Sequence, residues 1–485
     1  MACVDRAMPA HDHERPGPHR ATGGHSPGGW MDRVRGIEPA SGAAGHDKPT
    51  GGLRRTIGPG LLFFFVLGDM LGGGIYALVG EVGGVVGGAI WVPFLVAFVL
   101  ASLTATAYVE LVTKYPRAAG AALYVNTAFG RPFLTFLVAF AVMCSGITSA
   151  AALARAFAGD YLVTFVDTPV QLGALTLLVA LAAVNLWGVK ESVRVNAAFT
   201  VIEVIGVVII LTVGAMAIGG GSADLSRNLD LGGDGPPLLL VLAGSALAFY
   251  TLIGFEDSVN MAEEVRDPSR AFPRALFGAM GVAAVTYLGV TVVASAVVPT
   301  QDLATSDAPL LEVIRRGPGG VPETLFSGIA LFALANGALL NLMMASRLVY
   351  GMAQEGIVPS ALGRVLPGRR TPVVAITFTT ALALVLAATG DLGDLADTTV
   401  LLLLVVFAFV NVSVLVLRGD EVGHDHFRAP TGAPALGAVV CVALVTQHEG
   451  ATWLRAAALM TLGVVVWGID RAIDHRTGTH TGRTS

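Results

Sequence analysis

Charge is scarce in this chain: only 13% of its 485 residues are Asp, Glu, Lys or Arg, about half the share in an ordinary soluble domain. That leaves too few charges to cover a water-facing surface. Cysteine is scarcer still. Cys3, Cys144 and Cys441 are too few and too scattered for a disulfide framework or a metal cluster, and the last two read as small buried hydrophobes. Nothing reads as a zinc-protease His-Glu-x-x-His, a Walker loop or a nucleophile elbow, so neither an enzyme nor ATP-driven coupling is expected. No catalytic residue, metal ligand or cofactor is assigned. The amino terminus lacks an apolar stretch followed by a small-residue cleavage site, which argues against a signal peptide. The formal net charge of −5 selects no partner class, and no nucleic-acid partner is expected.

What the chain does have is apolar sequence: 54% of its residues are hydrophobic and its mean hydropathy is +0.70. Runs near membrane length fall at about 57–80, 89–113, 133–157, 170–188, 196–218, 238–262, 275–298, 323–347, 372–389, 398–417, 434–447 and 451–469, suggesting about twelve spans. With the amino terminus inside, 25 of the 30 Lys and Arg residues are cytoplasmic; Arg155, Arg227, Arg315, Arg316 and Arg455 are the five outside. The positive-inside rule then places both termini in the cytoplasm of a multi-pass plasma-membrane protein. Residues 1–52, rich in Gly, Pro, His, Asp and Arg, read as a disordered cytoplasmic tail. The histidines there (His11, His13, His19, His25) suit adventitious metal binding at most.

Two spans are interrupted near their middles, one by Gly68-Asp69-Met70-Leu71-Gly72-Gly73-Gly74 and the other by Ile253-Gly254-Phe255-Glu256-Asp257. Each glycine weakens a helix by about 1 kcal/mol, and a carboxylate at that depth costs at least about 2.5 kcal/mol. Such segments persist where unwound backbone lines a cavity, which marks the substrate site of a secondary transporter. Unwinding leaves amides with positive partial charge and carbonyls with negative partial charge, and a zwitterion fits both. The Gly72, Gly73 and Gly74 amides suit a carboxylate. Carbonyls around Met70 and Leu71, with those of Phe249, Tyr250 and Ile253, suit an α-ammonium. The rival reading is that the glycines only let helices pack closely. Tyr250 and Phe255 are candidates for a lid or pocket wall, with interhelical packing or lipid contact as the alternative. Asp257, Glu263 and Glu264 read as caps or partners of Arg266 and Arg270 nearer the cytoplasm.

The segment Phe249-Tyr250-Thr251-Leu252-Ile253-Gly254-Phe255-Glu256-Asp257-Ser258, followed by Ala262-Glu263-Glu264-Val265-Arg266-Asp267-Pro268 and Pro273-Arg274, resembles the sixth span and following loop of the amino acid, polyamine and organocation permeases. Gly72-Gly73-Gly74-Ile75-Tyr76 is similar to that superfamily's first span, Tyr115-Pro116-Arg117 with Gly120 and Tyr124 to its second-span loop, and Ser346-Arg347-Leu348-Val349-Tyr350-Gly351 to the loop after its eighth span. The resemblance implies an all-α integral membrane fold with about twelve transmembrane helices. It also implies a LeuT-like five-plus-five inverted repeat (53–218 and 236–417, within a 53–417 core) whose helices 1 and 6 are broken. Accessory helices 11 and 12 would occupy 418–470 and a second cytoplasmic tail 471–485. Tyr250 falls at the family's aromatic gate and Glu256 at its span-six acid, a candidate proton-linked group.

One departure bears on coupling. Lys190, Arg194 and Asn196 match the family's entry to span five, but Glu203 stands where some permeases place a lysine. In that fold Glu203 faces the junction of spans one, five and eight, with Asp69 and Asn336 bordering it. Two carboxylates there cannot both stay ionised cheaply, so a proton or cation is expected between them; a protonated Glu203 serving only as helix glue on Asn336 is the alternative. The implied function is transport of a small-molecule amino acid across the lipid bilayer by alternating access, with proton coupling or exchange. The alternatives are a polyamine or organic-amine permease and, in another class, a membrane amino-acid sensor.

Overall fold

The structure is a computed structural model and describes residues 55, 57–117, 120–187, 193–232, 235–354, 358–365 and 371–477. The expected tails lie almost wholly outside the described residues, as do Lys190 and the side chains of Arg194 and Asn196. Among the described residues there is no β-strand; two isolated bridges are the whole of the extended pairing.

The helices begin where the chain supplies a residue that needs no helical N–H. Proline opens α1 (Pro59–Leu71), α5 (Pro132–Ala158), α9 (Pro237–Phe249), α10 (Pro268–Val297) and α12 (Pro309–Arg316), since its fixed φ suits a first turn and its missing donor goes unmissed. Between and after them run α2 (Gly74–Val86), α3 (Trp91–Lys114), α4 (Gly120–Phe129), α6 (Asp160–Val163), α7 (Val170–Trp187), α8 (Val193–Gly219), α11 (Thr300–Thr305), α13 (Glu323–Gln354), α14 (Val373–Thr389), α15 (Leu392–Val416), α16 (Gly432–Val445) and α17 (Gly450–Thr477). At α15 the Asp391 carboxylate accepts from the Asp394 amide at 2.9 Å, an N-cap.

Among the described residues nine stretches are long and apolar enough to cross a membrane, one of them Pro237–Glu264, which joins α9 to the turns after it, and the bent pair α1 and α2 makes a tenth. The other two expected spans, α14 with 17 residues and α16 with 14, extend only about 26 and 21 Å against a hydrocarbon core of about 30 Å. Twelve crossings are therefore not established by length. Two boundaries also differ from expectation. Helix α10 starts at Pro268 rather than near 275, so residues read as a polar loop are its first turns, with Ala271 and Phe272 buried. Helix α17 continues past 470 to Thr477.

Two-fold exchange of the halves would map α1 onto α9, α8 onto α15 and α10 onto α3. The packing has that form: α1 lies on α8 and α10, and α9 lies on α15 and α3. Helices α5 and α13, which the same exchange pairs, pack on each other through the centre. At one end of the bundle the start of α1 is tied to the end of the second broken span: Ile57 donates to the Glu264 carbonyl at 3.0 Å, and Arg266 donates to that of Ile57 at 2.9 Å. At the opposite end, Gly80 abuts Leu303 and Gly88 abuts Arg227.

Candidate functional site

The first break bends α1 against α2 by 40°. Gly72 still donates to the Gly68 carbonyl at 3.1 Å, but its extended ψ of 178° ends the helix, and α2 restarts at Gly74. The first amides of α2 and the last carbonyls of α1 consequently lack partners within their own helices. The second break differs. After α9 the chain tightens into a 3₁₀ turn over Tyr250–Leu252, Ile253 is extended at ψ 149°, and a further 3₁₀ stretch runs over Asp257–Glu264.

Gly254 lets the two breaks meet. Its φ of +121° is a backbone conformation open in practice to glycine, and a Cβ there would lie 2.9 Å from the Asp69 carbonyl carbon and 3.1 Å from its carboxyl carbon. Asp69 thus sits against span six. At the meeting point is a cavity of about 40 Å³ open to the centres of water molecules, room for about three of them. Its wall includes Gly72, Gly73, Gly74, Tyr250, Ile253 and Met70. Ser149 and Asn341 also line it, as do Asp69, Asn336 and Asp257. The Tyr250 hydroxyl is held by Ser149 Oγ at 2.8 Å, which places the ring over α2, 3.5 Å from a Cβ at Gly74.

Several sequence-derived placements change. Phe255 does not reach the cavity; it is fully buried edge-on to Tyr108 with centroids 5.8 Å apart and 5.6 Å from Phe407. Phe249 packs on the same Phe407 at 6.0 Å, and Leu71 is buried away from the cavity wall. Asp257 moves the other way, from an expected cytoplasmic cap to the wall itself. Glu256 turns back on its own segment, where its carboxylate accepts from the Gly254 amide at 2.8 Å. The glycines have separate surroundings. A Cβ on Gly73 would meet Leu334 at 2.6 Å and Leu153 at 2.9 Å, and one on Gly74 the Thr251 backbone at 3.2 Å, whereas one on Gly72 meets the carbonyl oxygens of Asp69 at 3.2 Å and Gly68 at 3.6 Å. A bulky residue at Gly73 or Gly74 would strike protein before it could crowd a bound carboxylate.

Behind the first break, Asn336 Nδ2 donates to Glu203 Oε1 at 3.4 Å, while Oε2 is buried with no hydrogen-bond partner among the described residues. The Tyr76 hydroxyl donates to the Glu203 backbone carbonyl at 2.9 Å, joining α2 to α8. Asn336 therefore borders both Glu203 and the cavity. Sequence reasoning passed over Ser149, Asn341 and Tyr287. Tyr287 donates its hydroxyl to the Met70 carbonyl and lies 3.0 Å from that of Thr251. The available signal was a lone phenol in the apolar run of α10.

Two opposed broken helices around a cavity lined by their own backbone define a membrane carrier of the organocation permease type. The pattern that defines the amino acid permease family matches residues 60–466, and the chain belongs to that family. It is 31% identical over 428 residues to an uncharacterized transporter of Mycobacterium tuberculosis, covering 87% of this chain and 93% of the relative. It is 23% identical over 464 residues to the branched-chain amino acid permease BcaP of Bacillus subtilis, covering 90% and 97%. With the cationic amino acid transporter 4 of Mus musculus the identity is 29% over 407 residues, covering 79% of this chain and 62% of the relative. These relatives are named as transporters or permeases, and the chain is a multi-pass membrane protein.

Proposed function

We propose that the protein moves an amino acid across the cell membrane by alternating access, with both termini cytoplasmic, a core of two inverted repeats over 53–218 and 236–417, and accessory helices beyond it. The observation that carries this reading is the meeting of the two breaks at one cavity lined by backbone. The Gly72 amide stays on the Gly68 carbonyl, and the amides at Gly73 and Gly74 and the carbonyls of Met70 and of the Tyr250 to Ile253 turn offer opposite partial charges across a space of zwitterion-head size. Tyr250 closes one side, with its hydroxyl fixed on Ser149. Glu203 serves as the proton-carrying group. A buried carboxyl with a single side-chain hydrogen bond is far cheaper to hold neutral than charged, and Asn336 links it to the cavity wall.

A second reading, a substrate with an additional amine, is favoured by the entry of Asp257 into the wall beside Asp69. Uptake into proteoliposomes separates the two. The panel is labelled leucine, alanine, lysine, arginine and putrescine, with proton and sodium gradients imposed separately. Uptake of the α-amino acids driven by an inward proton gradient supports the first reading. Uptake confined to putrescine establishes the second, and absence of all five fluxes rejects both.

A further inference from the structure

The hydroxyl of Tyr287 stands between the two breaks. It is buried on α10, its ring packed edge-on to Phe94 at 6.2 Å, and it is shared between the carbonyls of Met70, at the end of α1, and Thr251, in the first turn after α9. Both of those residues line the cavity, whereas Tyr287 does not. A phenol has one proton, so it can donate to one of these carbonyls at a time. Each carbonyl also has a second lone pair. An ammonium group carries three donors and no acceptor, and so complements a pair of carbonyls that share one proton.

We propose that Tyr287 is a positioning residue for the substrate's ammonium group. Its proton goes to whichever carbonyl the ammonium serves less well, so that in the loaded protein both Met70 and Thr251 have a donor and the two broken spans are drawn to one spacing. In the empty protein one of the two carbonyls faces the oxygen lone pairs of Tyr287, and the breaks are held less firmly together. The hydroxyl thereby ties recognition of the ammonium to the relative position of spans one and six. This rests on the reading of the cavity as an amino acid site.

Removing the hydroxyl alone tests the idea. In proteoliposomes, Tyr287→Phe raises the half-saturating concentration of the transported amino acid tenfold or more, while the maximal rate per reconstituted protein stays within threefold. Discrimination against a competitor that lacks the α-ammonium falls by a similar factor. The probes are L-leucine against 4-methylpentanoate and L-lysine against 6-aminohexanoate, using the pair whose amino acid the wild type takes up. Tyr161→Phe is the control: that hydroxyl is equally buried but donates at 3.0 Å to the Tyr76 carbonyl, which lies inside α2 and does not line the cavity, and its half-saturation stays within twofold.

Unchanged half-saturation and discrimination in Tyr287→Phe overturn the proposal, as does an equal loss in Tyr161→Phe. If Tyr287→Phe cannot be recovered folded, Phe94→Leu keeps the hydroxyl but frees the ring. A loss of discrimination of about threefold is then expected, and no loss overturns the proposal. A wild-type protein that carries neither amino acid would reject the underlying reading of the cavity, an outcome distinct from normal wild-type uptake with an indifferent Tyr287→Phe.

Discussion

Between Gly72 and Gly74 the first broken span has no side chain with which to satisfy its own backbone, whereas the second, from Thr251 to Ser258, has three. Thr251 Oγ1 donates to the Ala248 carbonyl at 2.8 Å, the Glu256 carboxylate accepts from the Gly254 amide at 2.8 Å, and Ser258 Oγ donates to the Phe255 carbonyl at 2.7 Å. The first break is held from outside instead. Leu334 and Leu153 close on Gly73, Gly254 presses on Asp69, and Tyr287 takes the Met70 carbonyl. A segment whose partners belong to other helices shifts when those helices move, while a segment that satisfies itself travels as a unit. The second break, although Tyr287 and Ser149 also touch it, is on that ground expected to act as the frame and the first as the part that responds to its surroundings.

The sharpest way to break that contrast is at Gly254. Its φ of +121° costs a residue with a Cβ on the order of 1–3 kcal/mol, before the overlap at 2.9 Å with the Asp69 backbone. Gly254→Ala is expected to abolish uptake and lower the melting temperature of the purified protein in detergent. Near-normal transport by this variant would show that the frame tolerates displacement. Next in size is Gly72→Ala, whose Cβ meets the α1 carbonyl oxygens of Asp69 at 3.2 Å and Gly68 at 3.6 Å. It should fold normally and raise half-saturation about tenfold, equivalent to about 1.4 kcal/mol, because the methyl group enters the cavity beside the α2 amides. A loss of folded protein without a change in half-saturation would assign Gly72 to packing alone.

One carboxyl group lies in the second break and another, on α8, behind the first, and here the contrast becomes one of protonation. Glu256 is satisfied within its own turn, and Glu203 has one buried oxygen with no partner among the described residues. If only the second serves as a proton carrier, Glu203→Gln removes the pH dependence of uptake and leaves substrate binding intact. Glu256→Gln lowers activity at every pH without changing the shape of the profile. Identical wild-type and Glu203→Gln profiles would reduce Glu203 to a structural group on Asn336, and a strict sodium requirement would put a metal ion in the proton's place.

How much of this was legible in the sequence follows from where each interaction partner lies in the chain. The breaks could be read locally, because glycines and carboxylates inside apolar runs contradict helix propensity at that spot, and the wall residues Gly72, Gly73, Gly74 and Tyr250 follow from them. Phe255 was misplaced because an extended Ile253 and a 3₁₀ turn reset the side-chain phase, turning the ring toward Tyr108 and Phe407. The start of α10 was set seven residues late because Pro268 and Pro273 read as loop punctuation, although Pro268 is at home in a first helical turn and the helix runs on through Pro273. Ser149, Asn341 and Tyr287 come from three other helices, and no local pattern marks which polar residue of an apolar span will face a break.

The smallest effect expected tests the self-sufficiency of the second break. Thr251→Val keeps the shape of the side chain and removes the hydroxyl that serves the Ala248 carbonyl. Losing one such hydrogen bond costs about 1 kcal/mol, so the melting temperature should fall modestly while half-saturation stays within twofold. Tyr287→Phe is expected to do the reverse, with the larger change in half-saturation. The double variant sharpens the point. The Tyr287 hydroxyl lies 3.0 Å from the Thr251 carbonyl, and residues in contact couple by about 0.5–3 kcal/mol. Because the hydroxyl of Thr251 acts inside its own turn, a coupling at the low end, about 0.5 kcal/mol, is the expected result. A coupling well above that figure would mean that the second break also depends on its neighbour for satisfaction, and the division between frame and responsive segment would fail.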